Sequence, residues 1–492
     1  MAYVFTLLYI LLTLITPGVF PQVMIDMHLA QILGWITIVS SLAIIGEAKL
    51  KTLPESTLVL GILVAIVVSV VAQGYMHALL YVIPDQLPRL LVFYFVLISC
   101  RTLKKIQGVI YSLMFISLFI FANAALAAYT GDTNSLYVLR GENGSPDRWQ
   151  GLGFLSDPND TAQLFATVIP MFWLRWRKSN HLANFFLTLV PAVLLAIGIY
   201  YTHSRGGLVA LIAVVLFALK DKLGLVRSSI LSLVLLIGLV AVDATGGRSM
   251  NDDDGRVILW RKALSAFKTH PLFGVGVGNF TDWNYHSNTA HNSFLLCLAE
   301  LGLFGYFFWM GTIVSCWTGL TEVLTLESAE EEAYPNVRAA TLDPHKPRKI
   351  APMKPWLDAP ALNRPAAPAA ASAMAGSAFH YAPPGSVGWM PAAAQFNARA
   401  EKDDPAEAQR RLFLAAKIFR ISFVGLLTSS VFLSRTFSMV LFIVVGMSAA
   451  LHMIILIGHP EQALDWKAIS RRNAKIIVAS ILILYALMRL RG

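Results

Sequence analysis

Three ionisable residues in this chain stand at junctions between an apolar run and a polar turn. Arg205 lies in THSRGG, Arg256 follows the acids at 252–254 in DDDGRVILWRKALSAFK, and His291 heads HNSFLLCLAELGLFG. A planar guanidinium can donate two parallel hydrogen bonds to a phosphate, which an ammonium cannot. An imidazole can take a proton near neutral pH, as activation of a hydroxyl requires. Gathered at a membrane edge, such groups point to chemistry on a substrate that is both apolar and anionic. Each also has a plainer reading. Arg205 can be an interfacial anchor whose head reaches the headgroups, although an arginine at membrane depth must be paired or hydrated. Arg256 can be a solvated charge beside the acids before it. A lone histidine at a helix start can be a cap or an interface residue.

Other polar residues belong to the same neighbourhood. Asn159, His203, His286 and Asn292 are expected as further lining residues. In GLGFLSDPNDTAQLFA, Asp157, Pro158 and Asn159 read as a turn, with Asn159 or Asp160 capping the helix that follows. His270, before Pro271, reads as structural. Glu300 falls inside an apolar run, where a carboxylate must be neutral, hydrated or paired; pairing with a basic residue of the bundle is expected. The histidines lack metal-site spacing, and no HExxH occurs. The glycines of GVGVGNF have no βαβ context and no P-loop lysine, so they are not a nucleotide loop.

The elements that must position these residues are membrane helices. With 56% hydrophobic and 14% charged residues, a soluble chain could not clothe its surface with polar groups. Apolar runs recur at lengths that suit a bilayer core of about 30 Å, and they are too long and continuous for barrel strands. The expected fold is an all-α polytopic membrane protein of about 12–13 transmembrane helices. The spans fall near 3–20, 29–46, 57–74, 88–101, 107–128, 160–176, 183–202, 206–219, 227–245, 293–318, 412–433, 436–457 and 474–490. The fourth and eighth are short enough to be tilted or re-entrant. The first reads as a helix and not a removed signal, having no clear small-residue cleavage site.

Lys49 and Lys51, Lys104 and Lys105, Arg175 to Lys178, and Lys220 to Arg227 occupy every second turn of the chain. The positive-inside bias then puts those turns and the N-terminus in the cytoplasm, and 129–159, 202–206 and 246–292 on the other side. An odd number of spans leaves Arg489 and Arg491 outside, against the same bias. This distribution accounts for the net charge of +10 without a nucleic-acid partner. The three cysteines, Cys100, Cys297 and Cys316, are scattered in or beside apolar runs and fit neither a disulfide framework nor a metal site.

The chain divides into N-terminal transmembrane helices over 1–245 (about nine), a loop over 246–292 carrying Arg256 and His291, a transmembrane helix over 293–320, an insertion over 321–411, and C-terminal transmembrane helices over 412–492. In the loop, 256–268 reads as an amphipathic helix with Val257, Trp260, Leu264 and Phe267 on one face, lying along the membrane surface. The turn HPLFGVGVGNF follows it. The Ala/Pro-rich stretch 325–411 cannot bury enough apolar surface to order itself. It reads as a cytoplasmic linker, tether or docking segment with a cytoplasmic partner.

Taken in order, GLGFLSDPND, SRGG, Arg256 to Trp260, HPLFGVGVGNF, HNSFL and LAELGLFG resemble the bacterial O-antigen ligase and O-antigen polymerase superfamily over about 150–310. The resemblance implies a fold similar to the C-type membrane glycosyltransferases. It implies transfer of a glycan from undecaprenyl diphosphate to a hydroxyl on an acceptor glycan, lipid or protein, at the periplasmic face of the bacterial inner membrane. Arg205 and Arg256 would bind the diphosphate, and His291 would be the general base. The reaction would invert the anomeric centre, with no metal, nucleotide or other cofactor. The long insertion departs from the usual pattern and leaves the subtype open between polymerase, polysaccharide or O-antigen ligase, and protein glycosyltransferase. A lipid-linked glycan flippase is the rival reading. Transporters usually show paired half-repeats and broken helices near the midplane, whereas here the unusual residues gather at one face.

Overall fold

The computed structural model describes residues 1–15, 29–47, 50, 53–132, 134–141, 146–177, 179–241, 251–284, 288–333, 405–458 and 466–489. His286 and most of the 325–411 stretch lie outside these residues. Residues 327–409 form a second unit, of which 327–333 and 405–409 are described as helical. Everything below concerns the first unit.

That unit is helical almost throughout. The first five helices are α1 (Ala2–Ile15), α2 (Leu29–Leu42), α3 (Pro54–Ala72), α4 (Leu79–Ser99) and α5 (Leu103–Thr130). A short antiparallel ladder follows, β1 (Val138–Leu139) with β2 (Arg148–Trp149). Then come α6 (Pro158–Val168), α7 (His181–Tyr201), α8 (Arg205–Leu223), α9 (Leu225–Ala241) and α10 (Asn251–Thr269). The chain continues with α11 (Ser293–Ala333), α12 (Pro405–Ser430), α13 (Met439–Gly458) and α14 (Trp466–Arg489).

Among the described residues, six helical segments are long and apolar enough to cross a membrane: Pro54–Ala72, Met76–Ser99, Leu103–Thr130, His181–Tyr201, Ser293–Thr325 and Arg410–Ser430. Ala2–Ile15, Leu29–Leu42 and Met439–Ile455 are shorter apolar helices. Large apolar side chains such as Trp35, Leu80 and Phe186 are exposed on the outside of the bundle, as they would be against lipid. This is an all-α polytopic membrane protein.

The sequence-based expectations change in four places. The fourth span is not short, because the helix continues through Pro84 and Pro88 to reach 24 residues over Met76–Ser99. The sixth is α-helical only to Val168 and then winds as a tighter 3-10 helix over Ile169–Arg175, where Pro170 removes a backbone donor. The amphipathic helix begins earlier, at Asn251. Its buried face is also turned, since Leu259, Ala263, Leu264 and Ala266 are buried while Val257, Trp260 and Phe267 are half-buried.

The fourth change is a break in α11 at Gly302, whose φ is +63°. A Cβ at Gly302 would lie 2.5 Å from the Leu272 carbonyl carbon, and one at Gly274 would lie 2.2 Å from that of Glu300. The two backbones therefore touch, and they pair. Val275 and Gly276 donate to the Ala299 and Glu300 carbonyls at 2.9 and 3.0 Å. Leu303 and Phe304 donate to the Pro271 and Leu272 carbonyls at 2.8 and 3.0 Å. The glycine-rich turn thus supplies the partners that a broken helix loses, which apolar surroundings demand. Glu300 is corrected as well. Among the described residues, its carboxyl oxygens accept from the backbone N–H groups of Gly278 and Phe280 and not from a basic side chain.

α13 is the central column, buried along nearly all of Met439–Ile455 and packed along α4. A Cβ at Gly446 would come within 3.1 Å of the Phe93 carbonyl oxygen, so a glycine permits this approach. Trp309 of α11 donates its indole N–H to the Thr436 carbonyl at 2.8 Å. That bond ties α11 to the turn that enters α13.

Candidate functional site

The turn 431–438, between α12 and α13, organises the site. His291 donates its backbone N–H to the Ser434 hydroxyl at 2.5 Å, and the Thr289 hydroxyl bonds the same oxygen. Ser293 donates to the Leu433 carbonyl at 2.7 Å and accepts from the Arg435 N–H at 3.2 Å. Thr436 donates to the Ser293 carbonyl at 3.2 Å. These bonds lash residues 289–293 to residues 433–436.

The N-terminus of α8 meets the same turn. Ser204 caps the helix, accepting from the Gly207 N–H at 3.1 Å. A Cβ on Gly206 would sit 2.6 Å from the Phe432 Cβ, and one on Gly207 2.5 Å from the Ala162 Cβ. The two glycines of SRGG therefore let the first turn of α8 press against both α6 and the turn. Arg205 is thus carried to within two or three residues of contact with the segment that holds His291.

Arg256 lies near the start of α10, half-buried, and its charge acts directly on His291. The base of α10 is set by Ala263 and Ala266, which pack with Ala290, Leu295 and Ala299 from the approach to α11 and its first turns. Lys262 adds a bond to the Asn284 carbonyl at 2.8 Å.

His291 has a pKa below the usual histidine value. Burial is the largest cause, the Arg256 charge adds to it, and Asp157 opposes both. Burial and the Arg256 charge both favour the uncharged imidazole, the state a base needs. His203 and His291 are the described non-glycine residues with positive φ, each at +48°. That region strains most side chains, and such strain is held where surrounding structure over-determines the backbone. Here the capped start of α8 and the Ser434 bond do the holding.

The remaining expected residues divide by role. Asn159 accepts from Arg148 at 3.3 Å and donates to Asp157, the acid whose charge reaches His291, at 2.9 Å. The cap of α6 is Asp157, which accepts the Asn159 N–H at 2.7 Å; neither Asn159 nor Asp160 serves, contrary to expectation. Asn292 is buried and its oxygen accepts from the Phe294 and Leu295 N–H groups at 2.9 and 3.0 Å. It caps α11 and fixes the exit from His291. The His203 ring rests against Tyr200, with centroids 6.0 Å apart. His286 falls outside the described residues.

Arg148, Arg435 and Arg89 go unnoticed in the sequence, and Asp160 reads there only as a possible helix cap. Arg148 bridges the Thr202 carbonyl, at 2.9 Å, to Asn159, and its neighbour Trp149 stacks on Tyr201 at 4.5 Å. Asp160 is buried and bonded to Arg435 Nε at 2.7 Å, and Arg89 lines the same cleft. Arg435 had a readable signal. It sits between two apolar runs, on the side of the membrane assigned to Arg205, as Arg205 itself does.

An imidazole acted on by the Arg256 charge, with Arg205 at the capped start of α8 next to a glycine that packs on the same turn, is suited to binding an anion and accepting a proton. No curated protein matches the chain. Residues 190–310, which run from α7 through the broken part of α11, match the family model described as O-antigen ligase, and this match supports placing the chain in the O-antigen ligase and polymerase superfamily.

Proposed function

We propose that the protein transfers a glycan from undecaprenyl diphosphate to an acceptor hydroxyl at the periplasmic face of the inner membrane, as a polysaccharide polymerase or O-antigen-type ligase. The observation that carries this reading is the convergence on one turn. His291 is tied to Ser434, the residue after Arg205 packs on Phe432, and the Arg256 charge reaches His291.

In this reading His291 removes the acceptor proton as the acceptor oxygen attacks the anomeric carbon. The new carbon–oxygen bond forms as the bond from that carbon to the diphosphate oxygen breaks, so the centre inverts. The lipid diphosphate leaves with the bonding electron pair, and the proton stays on the imidazole. Arg205 and Arg256 stabilise the negative charge gathering on the leaving group. In a poorly hydrated site such preorganised cations act strongly, and they take the part a divalent metal would play. The donor bond is already activated, so no nucleotide is required. The Trp149–Tyr201 stack and Arg148 back the start of α8 and hold Arg205 in place.

The test is direct. Purified protein is incubated with undecaprenyl-diphosphate-linked glycan and candidate acceptors, and products are identified by mass. Longer lipid-linked chains mean a polymerase, and glycan on lipid A means a ligase. If Arg205→Ala, Arg256→Ala and His291→Ala all kept wild-type transfer rates, the reading would fail.

A further inference from the structure

We propose that a cavity at the opposite end of α1 from the Asp160–Arg435 pair is a binding site for an anionic phospholipid, whose phosphate rests on Arg101 and Lys105. The cavity has a volume of about 370 Å³ and lies where the starts of α1 and α5 meet the ends of α2 and α4. Sites for small ligands span about 300–1,000 Å³. α1 shows how far this one stands from the turn that holds His291. Leu14 lies beside Asp160 and Arg435, whereas Ala2 and Tyr3 line the cavity. The helix between them rises about 18 Å.

The charged groups of the cavity are cations held in place. Arg101 donates from Nε to the Ile98 carbonyl at 3.1 Å and from Nη2 to the Ile44 carbonyl. These bonds join the ends of α4 and α2 and orient the guanidinium, and a carbonyl does not cancel its charge. The Lys105 ammonium stands over the Tyr3 ring, 5.6 Å from its centroid, and the Tyr3 hydroxyl donates to the Lys105 carbonyl at 3.0 Å. No aspartate or glutamate is among the described residues that line the cavity. The rest of the lining is mostly apolar and includes Ala43 and Ile44, at and just past the end of α2. One helical turn before Ala43, the outer face of α2 presents Val39, 67% exposed, as a helix does toward lipid. The cavity therefore joins a cationic end to a lipid-facing wall.

Such a lining selects its ligand. Free phosphate would meet the cations but make no use of the apolar wall. A zwitterionic lipid would bring its own ammonium against Arg101 and Lys105. Phosphatidylglycerol carries one negative phosphate with only hydroxyls beyond it, and its acyl chains would lie along α2. The side of the membrane also suits. Lys104 and Lys105 follow Arg101 in the same turn, and the positive-inside bias puts that turn at the cytoplasmic leaflet. Basic pockets between helices at that leaflet suit anionic headgroups.

The test uses the full-length protein, delipidated in detergent and titrated with phosphatidylglycerol or phosphatidylethanolamine of matched chains, with bound lipid counted by native mass spectrometry. The wild-type protein should hold one phosphatidylglycerol about tenfold more tightly than phosphatidylethanolamine. Lys105→Gln and Arg101→Gln should each weaken phosphatidylglycerol binding about fivefold, the usual worth of one basic residue beside an anionic surface. Ala43→Trp fills the mouth from an exposed position and keeps both cations. It should abolish the tight site, and it keeps the test sound if the Arg101 variant folds poorly. Inorganic phosphate in excess should leave the lipid bound; displacement by phosphate would reduce the cavity to a plain anion site and overturn the lipid assignment. Equal affinity for the two lipids in the wild-type protein, or unchanged phosphatidylglycerol binding in all folded variants, would overturn the site.

Discussion

The backbone N–H of His291 donates to the Ser434 hydroxyl at 2.5 Å, joining positions 143 residues apart. The bond spans the whole α11–insertion–α12 excursion of the chain. It sets the orientation of His291 from outside the loop that carries it.

Removing that hydroxyl should loosen the base without removing it. Ser434→Ala is expected to cost about 1 kcal/mol of stability, the usual worth of one hydrogen bond. It should lower kcat roughly tenfold or more through misplacement of the reacting group. Thermal melting and steady-state transfer rates check the two effects separately.

The acid side of the pH profile reports the neighbourhood of His291. Its pKa is held below the usual value by burial and by Arg256. Transfer should therefore stay level through neutral pH and fall only below the ordinary histidine range. Arg256→Gln removes a like charge, so the His291 pKa rises and the acid limb moves to higher pH, whatever happens to the absolute rate. Stability follows the same sign. As pH falls, the unfolded chain binds the proton first, and the contribution of neutral His291 is lost through that range. An acid limb that stayed in place in Arg256→Gln would show that the two residues are not coupled.

At Arg205 the shape of the cation should matter as well as its charge. Arg205→Lys keeps the charge but loses the planar fork. A fall of roughly 10²–10³ in kcat is expected for one lost transition-state donor, with the melting temperature little changed. A lysine variant near wild-type activity would remove Arg205 from the diphosphate.

The broken helix should be the most fragile feature of the fold. Gly302→Ala places a Cβ 2.5 Å from the Leu272 carbonyl carbon in a backbone conformation at φ +63°. The strain of a non-glycine residue there is about 1–3 kcal/mol before any clash is counted. Lower melting temperature and poor yield in detergent are expected, whereas Gly255→Ala, which meets nothing within 4 Å, should be silent.

A chelator should leave the transfer rate unchanged, because the proposed charge stabilisation comes from guanidinium groups. Full loss of activity in EDTA, restored by a divalent cation, would show that the arginines do not replace a metal.

Much of this arrangement was legible because membranes make ionisable residues conspicuous. Arg205, Arg256 and His291 stood out as polar residues beside apolar runs, and the runs themselves announced helices. What stayed hidden depends on contacts between distant segments. Asp160 read as a helix-capping residue, yet its partner Arg435 lies 275 positions away. The buried face of α10 was misjudged because Ala263 and Ala266 add little hydrophobicity while permitting the closest packing. Glu300 read as half of an ion pair because side-chain partners are easier to imagine than the two backbone donors that a glycine turn folds toward it. Arg148 was unremarkable until the β1–β2 ladder placed it against Thr202.

The pairing of 271–276 with 299–304 has a consequence for how the protein can vary. The two backbone seams close residues 277–298 into a handle anchored at both ends on α11. His291 rides on that handle, so its depth is gauged against the break in α11 and not against the lipid surface. Bilayers of different thickness could tilt the outer helices while the base kept its height above the break. A residue inserted between 277 and 290 would displace His291 from Ser434, and one inserted within α10 would shift Ala263 and Ala266 off Ala290, Leu295 and Ala299. Length change should therefore lower activity on either side of the seam.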